Sequence, residues 1–398
     1  LGAFPASGEE WLGMLGMHGT YEANWAMHDC DVMINLGARF DDRVTGKLDK
    51  FSPGSRKIHV DIDASSINKN VAVDIGIVAD AGEAIQAMIN VWKKRKYKTD
   101  DAALAQWWKQ IDKWRSKNCL AYKNSSKIIK PQYALERLRH FIEKDKRDAY
   151  ITTEVGQHQM WAAQFLPFEQ PNRWMTSGGL GTMGYGLPAA IGTQIAHPKA
   201  LVVDVAGEAS ILMNIQELAT LAEEDLDVKI VLFNNGALGL VHQQQTLFYG
   251  GRLNASVFRG QPDFVRLAQA FGIATVDLDA EPDVPDALAA AFAERGPCLI
   301  HATIDPNEFV YPMVPPGGIV ASSAGSVPTS ATRISTSSGF ISWVKTWPRI
   351  WAYWLARLRA STSSRLKEYP FRSAARTPEM RSWSNSLYLP TPAKAMRS

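Results

Sequence analysis

Between Gly207 and Asn235 the chain reads GEASILMNIQELATLAEEDLDVKIVLFNN, a layout able to hold a hard cation against a diphosphate. An apolar strand (Leu201–Val205) runs into a glycine turn carrying an acid, Glu208. A helix over Ser210–Ala222 follows, then a second apolar strand (Val228–Phe233) ending in Asn234–Asn235. Mg²⁺ takes oxygen ligands in near-octahedral geometry. A carboxylate after one strand and an amide oxygen after the next supply two of them from neighbouring loops. Strand carboxyl ends are where open α/β sheets bind ligands. On these residues alone, an ordinary βαβ unit with a solvated acid at a strand end is the competing reading.

Neighbouring blocks add to this segment. QHQMWAAQF starts at Gln157, and SGGLGTMGYGLPAAIGTQIAHP spans Ser177–Pro198, with glycines at 178, 179, 181, 184 and 186. Such glycines let the backbone approach a bulky planar ligand and turn through left-handed conformations. Pro188 suits the first turn of an apolar helix reaching Ile195. LMNIQELAT (Leu212–Thr220) and ALGLVHQQQTLFY (Ala237–Tyr249) follow. Near the start stand LGMHGTYEAN (Leu15–Asn24), GARFDDRVTG (Gly37–Gly46) and HVDID (His59–Asp63).

Together these blocks, over about residues 1–317, resemble the catalytic large subunit of acetolactate synthase (acetohydroxyacid synthase), a thiamine diphosphate family. The resemblance implies roles position by position. Val155, Gly156, Gln157 and His158 match the loop contacting the diphosphate, and Gly207, Ala209 and Ser210 belong to the same cofactor segment. Gly181 and Met183 match positions beside the aminopyrimidine, with Met183 holding the cofactor bent; a gap-filling core methionine is the plainer use of that side chain. Glu208 and Asn235 match the Mg²⁺ ligands, with the backbone carbonyl of Ala237 as a third, and Gly239 and Leu240 continue the cofactor wall. Met17, His18, Gly37, Ala38, Arg39, Asp41, Arg43, Val44, Asp61, Ile62, Asp80 and Ala81 match a FAD-binding region whose flavin has a chiefly structural role. There is no G-x-G-x-x-G here, and the residues by themselves read as a surface Arg–Asp network.

The reaction implied is decarboxylation of pyruvate and carboligation to a second 2-keto acid, giving 2-acetolactate, or 2-aceto-2-hydroxybutyrate from 2-ketobutyrate. It is the first common step of branched-chain amino acid biosynthesis. Another thiamine carboligase or oxidase is the alternative enzyme, and an inactive truncated fragment the alternative product. The resemblance also implies a homodimer or tetramer and a small regulatory subunit.

Two departures stand out. The family pattern Gly-Asp-Gly is Gly207-Glu208-Ala209 here; the extra methylene predicts weaker metal and diphosphate binding than Asp gives, since Mg²⁺ holds ligands at about 2.0–2.1 Å. Where many relatives carry Gln-Trp, this chain has Gln243-Gln244. Loss of that apolar wall predicts a weaker preference for 2-ketobutyrate and assigns Gln244, with Met183, to the catalytic set.

Composition agrees with a globular enzyme: 46% of residues are hydrophobic and 21% charged, ordinary values. No apolar run suggests a membrane span. Three scattered cysteines (Cys30, Cys119, Cys298) argue against a disulfide framework and for a reducing, cytoplasmic setting. The Trp- and Lys-rich stretch over 91–130 lacks a basic-aromatic groove motif, so its tryptophans cover core edges and bind no nucleic acid.

The net charge of +3 averages two unlike parts. Residues 318–398 hold 12 Lys/Arg against 2 Asp/Glu, whereas the remainder is acidic. After PMVPPG (Pro312–Gly317) the resemblance stops and the chain turns Ser-, Arg- and Trp-rich, the character of a shifted reading frame with little order. Leu1 enters the resemblance in mid-domain, which predicts that the domain carrying the family's activating glutamate is missing and that the chain alone makes no acetolactate.

The expected architecture is α/β, with two doubly wound parallel-sheet domains. Residues 1–90 form a truncated central FAD-type domain with strands near 32–36, 57–62 and 75–78 and a helix near 81–95. Residues 91–130 form a helical connector, 131–317 the domain binding thiamine diphosphate and Mg²⁺, and 318–398 the tail.

Overall fold

The computed structural model describes residues 1–320 except Pro282 and Pro316. The low order expected of the tail therefore falls, from residue 321 onward, outside the described residues. The first part of the chain runs α1 (Tyr21–Asp29), β1 (Val32–Leu36), α2 (Asp42–Thr45), β2 (Arg56–Asp61), β3 (Ile75–Val78), α3 (Ala81–Arg95) and α4 (Asp101–Arg115). The second runs α5 (Pro131–Lys144), β4 (Ala149–Thr153), α6 (Gln157–Phe165), β5 (Trp174–Thr176), α7 (Gly186–Ala196), β6 (Leu201–Gly207), α8 (Glu208–Ile211) and α9 (Leu218–Glu223). It continues with β7 (Val228–Asn234), α10 (Gly239–Phe248), α11 (Phe264–Ala270), β8 (Ala274–Asp277), α12 (Val284–Ala293) and β9 (Cys298–Thr303). No helix among the described residues is long and apolar enough to cross a membrane.

Both sheets are parallel, as strands joined by crossovers must be. The smaller has order β1-β2-β3 and the larger β5-β4-β6-β7-β9-β8. In the larger sheet successive side chains point to opposite layers. Val203, Val205, Val231, Phe233 and Ile300 pack with α5, α6 and α12. Val202, Ala206, Ile230, Leu232 and Leu299 pack with α7, α8, α9 and α11. Burial on both faces explains why β6 and β7 read as unbroken apolar runs. Each fully buried aliphatic side chain there stabilises the fold by roughly 1.5–3 kcal/mol.

The strand order reverses between β4 and β6: β5 lies outside β4 on one side, and β6, β7, β9 and β8 extend on the other. That reversal opens a crevice at the carboxyl ends of β4 and β6. The helix expected over Ser210–Ala222 is broken. Asn214 leaves helical geometry (φ −136°, ψ 33°) and a 3₁₀ stretch joins α8 to α9. Its side-chain amide donates to the Gly184 carbonyl at 2.7 Å, so a bond to a distant loop overrides local helix propensity. In α4, Trp114 is buried, stacks on Trp25 at 6.0 Å and meets Trp107 edge-on at 5.6 Å. These tryptophans cover a core edge, as expected.

Residues 308–314 strap the two parts together. Val314 N–H donates to the Met17 carbonyl at 2.8 Å, and His18 Nδ1 lies 3.3 Å from the Pro312 carbonyl. The Gln164 amide donates to the carbonyls of His18 and Tyr311 at 2.9 and 3.1 Å. Burial, with a smaller contribution from the Arg43 charge, lowers His18 from 6.5 to about 4. The unfolded chain thus binds a proton that the folded one refuses, and stability present above pH 6.5 is lost as pH falls toward 4, by roughly 3 kcal/mol. Urea unfolding at pH 7.5 and 4.5 should show a larger acid loss for the wild type than for His18→Gln; equal losses would remove His18 from the account.

Candidate functional site

Four loops meet at the crevice. β4 ends in Thr153 and is followed by Glu154, Val155 and Gly156, which lead into α6; β6 delivers Gly207 and Glu208 to the start of α8; β7 delivers Asn235 and Ala237 to the approach of α10. The loop after β5 brings Gly181 and Met183. All of Val155, Gly156, Gln157, His158, Gly181, Met183, Gly207, Glu208, Ala209, Ser210, Asn235, Ala237, Gly239 and Leu240 line one cleft of about 220 Å³. Trp161, Phe233, Leu238, Val241 and Ile304 complete its wall. Gln244 is not among the lining residues; it lies one turn beyond Leu240 on the same face of α10, half-buried.

Two oxygens converge there. Ala237 N–H lies 2.9 Å from Glu208 Oε1 and 3.1 Å from Asn235 Oδ1. The carboxylate after β6 and the amide oxygen after β7 therefore meet at one backbone amide. The Asn235 amide donates to Gln157 Oε1 at 2.9 Å, which fixes its oxygen toward Glu208. Glu208 is 3% exposed. Burial raises it to about 7, opposed by hydrogen bonds from the backbone amides around Ala237. A buried carboxylate without a cation partner is electrostatically unfavourable, so this site favours a positive ion.

Glycines shape the cradle by letting neighbours in. A Cβ on Gly207 would fall 2.3 Å from His158 Nδ1, and one on Gly239 would fall 2.1 Å from Gln157 Oε1. His158 is buried, lines the cleft, and its Nε2 has no protein hydrogen-bond partner among the described residues. Desolvation, opposed by a hydrogen bond to the Glu154 backbone carbonyl, lowers it to about 3, so the ring is a neutral imidazole whose one proton serves that carbonyl. A buried acid beside the glycine backbone of Gly156 and Gly207 fits a metal–diphosphate group.

Sequence reasoning missed what lies behind the cleft. Gln157 Nε2 donates to Gln243 Oε1 at 2.8 Å and to the Glu308 carbonyl at 3.1 Å. Gln243, fully buried, takes the Val310 N–H at 2.9 Å and donates to the Val310 carbonyl at 3.1 Å. The Gln157 side chain is thereby held by the strap. The glutamines in both quoted motifs were the available signal, but spacing cannot show that they touch.

The residues matched to FAD gather at the carboxyl edge of the smaller sheet: Gly37, Ala38, Arg39 and Asp41 after β1, Asp61 and Ile62 at the end of β2, Asp80 and Ala81 at the start of α3. Met17 and His18 precede α1, and Arg43 and Val44 lie in α2. Arg39 pairs with Asp41 at 2.8 Å and Arg43 with Asp42 at 3.4 Å, all well exposed. Asp80 caps α3 through Gly82 and Glu83, and Asp61 accepts Asp63 N–H at 2.9 Å. The Arg–Asp pairs of the plainer reading are thus present, on an edge that also suits a nucleotide.

Two further features carry less. A larger cavity, about 670 Å³, lies beside residues 1–13, but its arginines 139, 147 and 173 are paired with Glu143, Asp145 and Asp148. Asp277, Asp279 and His301 cluster at the far strand ends. There Asn234 faces His301 Nε2 with its amide nitrogen, which leaves the proton on Nδ1 for Asp277.

A doubly wound sheet with a glycine-lined cleft and a buried acid at its switch point suits a class of cofactor-binding enzymes, and comparison agrees. Residues 154–302 match the thiamine pyrophosphate enzyme C-terminal TPP binding domain and residues 1–88 the thiamine pyrophosphate enzyme central domain. The chain belongs to the thiamine pyrophosphate enzymes. Within them it is similar to acetolactate synthase large subunits. It is 45% identical over 321 residues to the isozyme 3 large subunit of Escherichia coli (80% of this chain, 55% of the relative). It is 41% identical to the large subunit of Haemophilus influenzae (84% and 58%) and 43% identical to that of Porphyra purpurea (86% and 56%). The chain spans about half the length of the curated relatives it matches.

Proposed function

We propose that this chain supplies the thiamine diphosphate and Mg²⁺ site of an acetolactate synthase catalytic subunit, which decarboxylates pyruvate and joins the two-carbon unit to a second 2-keto acid. The convergence of Glu208 Oε1 and Asn235 Oδ1 on Ala237 N–H carries the reading. Glu208, Asn235 and the Ala237 carbonyl would hold Mg²⁺, and Val155, Gly156, Gln157, His158 and Ser210 would hold the diphosphate. Gly181 and Met183 flank the aminopyrimidine, with Gly239 and Leu240 as the opposite wall. Bound thiamine diphosphate supplies a nucleophilic carbon and an electron sink for decarboxylation. The protein's part is to orient that group, keep water from it with Met183, Leu240 and Phe233, and neutralise the diphosphate charge.

FAD binds along the carboxyl edge of β1–β3, where Met17, Gly37, Arg39, Asp61 and Asp80 gather. The catalytic subunit works in the cytoplasm as a homodimer or tetramer with a small regulatory subunit. Leu180 beside the cleft, 90% exposed, supports a covering partner surface. Calorimetric titration of this chain with thiamine diphosphate should show binding only with Mg²⁺ present; metal-independent or absent binding would sink the reading.

The acceptor preference follows from Gln244, whose place one turn beyond Leu240 on α10 supports a role at the cleft's outer end. In the full-length protein, competition between pyruvate and 2-ketobutyrate should yield more 2-acetolactate than relatives with Trp at this position do. A strong 2-ketobutyrate preference would contradict it.

A further inference from the structure

Glu154 follows β4 directly, is fully buried, and lies outside the lining of the cleft. Its Oε2 accepts Gly184 N–H at 2.7 Å and the Ser210 hydroxyl at 2.6 Å; its Oε1 accepts Leu187 N–H at 3.0 Å. Every one of these contacts is as an acceptor. Leu187 stands in the first turn of α7, whose own N-cap residue, Tyr185, makes no side-chain cap. Glu154 therefore supplies, from a strand 30 residues away, the acceptor that the free amides at this helix start require, and it sits where the helix dipole favours a negative charge.

The other partners close the arrangement. Ser210 Oγ also accepts Val155 N–H at 3.1 Å. Gly184, at φ +87°, has its carbonyl held by Asn214 at 2.7 Å, so its flanking peptides are fixed on both sides. A Cβ on Gly184 would fall 2.7 Å from that of Met213. Asp204, equally buried on β6, takes the Thr152 hydroxyl at 2.8 Å. Burial, and then the neighbouring Glu154, push the Asp204 carboxyl well upward. The close approach needs Gly186, where a Cβ would lie 2.4 Å from Asp204 Oδ1 and 2.6 Å from Glu154 N.

We propose that Glu154 is a positioning residue of the cofactor cleft, its carboxylate tying the loop of Gly181 and Met183 and the hydroxyl of Ser210 to the end of β4. It acts on the ligand only through these groups. The assignment rests on the thiamine diphosphate reading for its ligand, while the anchoring of the loop does not. Glutamine at 154 turns one acceptor into an amino group facing a donor, and a buried mismatch of this kind weakens its surroundings by a factor of about ten or more.

The test uses this chain, with amide hydrogen exchange and Mg²⁺–thiamine diphosphate titration on the wild type, Glu154→Gln, Asp204→Asn and Ser210→Ala. Glu154→Gln should speed exchange at Gly184 and Leu187 about tenfold relative to core amides such as Leu232, and weaken cofactor affinity about tenfold. Asp204→Asn keeps all three bonds to Glu154 and should change neither reading. If Glu154→Gln fails to fold, Ser210→Ala, which removes one of the three bonds to Glu154 together with those that Ser210 Oγ accepts from Val155 and Gly184 N–H, should still speed Gly184 exchange and weaken binding by a smaller factor; wild-type behaviour of Ser210→Ala would then overturn the proposal. So would uniform acceleration of all amides with unchanged affinity, the signature of a purely structural residue. A wild type that binds no cofactor refutes the functional reading alone, because exchange at Gly184 and Leu187 still decides whether Glu154 anchors the loop.

Discussion

Replacing Glu208 with glutamine should reduce Mg²⁺-dependent thiamine diphosphate affinity about a hundredfold while leaving the fold at least as stable as before. The two effects separate because, among the described residues, Glu208 supplies the carboxylate where the Asn235 and Ala237 groups converge. A metal site loses about 10–100-fold from changes to outer partners alone, and removing a charged ligand exceeds that. Stability moves the other way. The Glu208 carboxylate is buried, and burial pushes it to about 7. A neutral amide of the same shape relieves that desolvation and can still accept Ala237 N–H. Calorimetric titration and urea unfolding on the same preparation check it. If affinity and unfolding midpoint fall together, Glu208 is a structural residue. Glu208→Asp in the same titration measures the effect of the extra methylene, and the departure from the family's aspartate predicts tighter binding for it.

Gly207→Ala should damage both the fold and cofactor binding. Position 207 has ordinary extended geometry, φ −123°, so backbone strain is not the reason; space is. The new Cβ would sit 2.3 Å from His158 Nδ1 and 2.5 Å from its Cε1. His158 is buried and lines the cleft, so a shifted ring encroaches on it. Overpacking of this kind destabilises by about 1–3 kcal/mol, and a ring displaced into the cleft should lower cofactor affinity more than tenfold. Gly192→Ala is the control. Nothing lies within 4 Å of its added Cβ, inside α7, and alanine there should stabilise by about 0.5–1 kcal/mol. Thermal unfolding of both variants decides the matter: if Gly207→Ala is as benign as Gly192→Ala, His158 is not confined and the cradle is looser than described.

Much of the frame was legible in the residues. β1, β3 and α3 begin and end where apolar runs, a turn and the capping Asp80 place them, and β6 and β7 followed from unbroken apolar stretches. These are local signals, set by propensity and periodicity within a dozen residues. The lining of the cleft was also legible, because glycines and paired oxygen donors lie in short, dense blocks. The Ser210–Ala222 helix was not, since its interruption depends on Asn214 finding Gly184, 30 residues away in sequence.

From sequence alone, this protein is an α/β thiamine-type enzyme with an acid and an asparagine at the ends of two apolar strands, because those features are written in neighbouring residues. Only the tertiary structure decided which polar groups sustain the site. Glu154 reaches Gly184, Leu187 and Ser210, and Gln157 reaches Gln243 and the strap, because parallel pairing of β4, β6 and β7 brings their ends to one edge. Once water is excluded there, each buried donor and acceptor must find a partner within the fold, and that demand selects partners without regard to their separation along the chain.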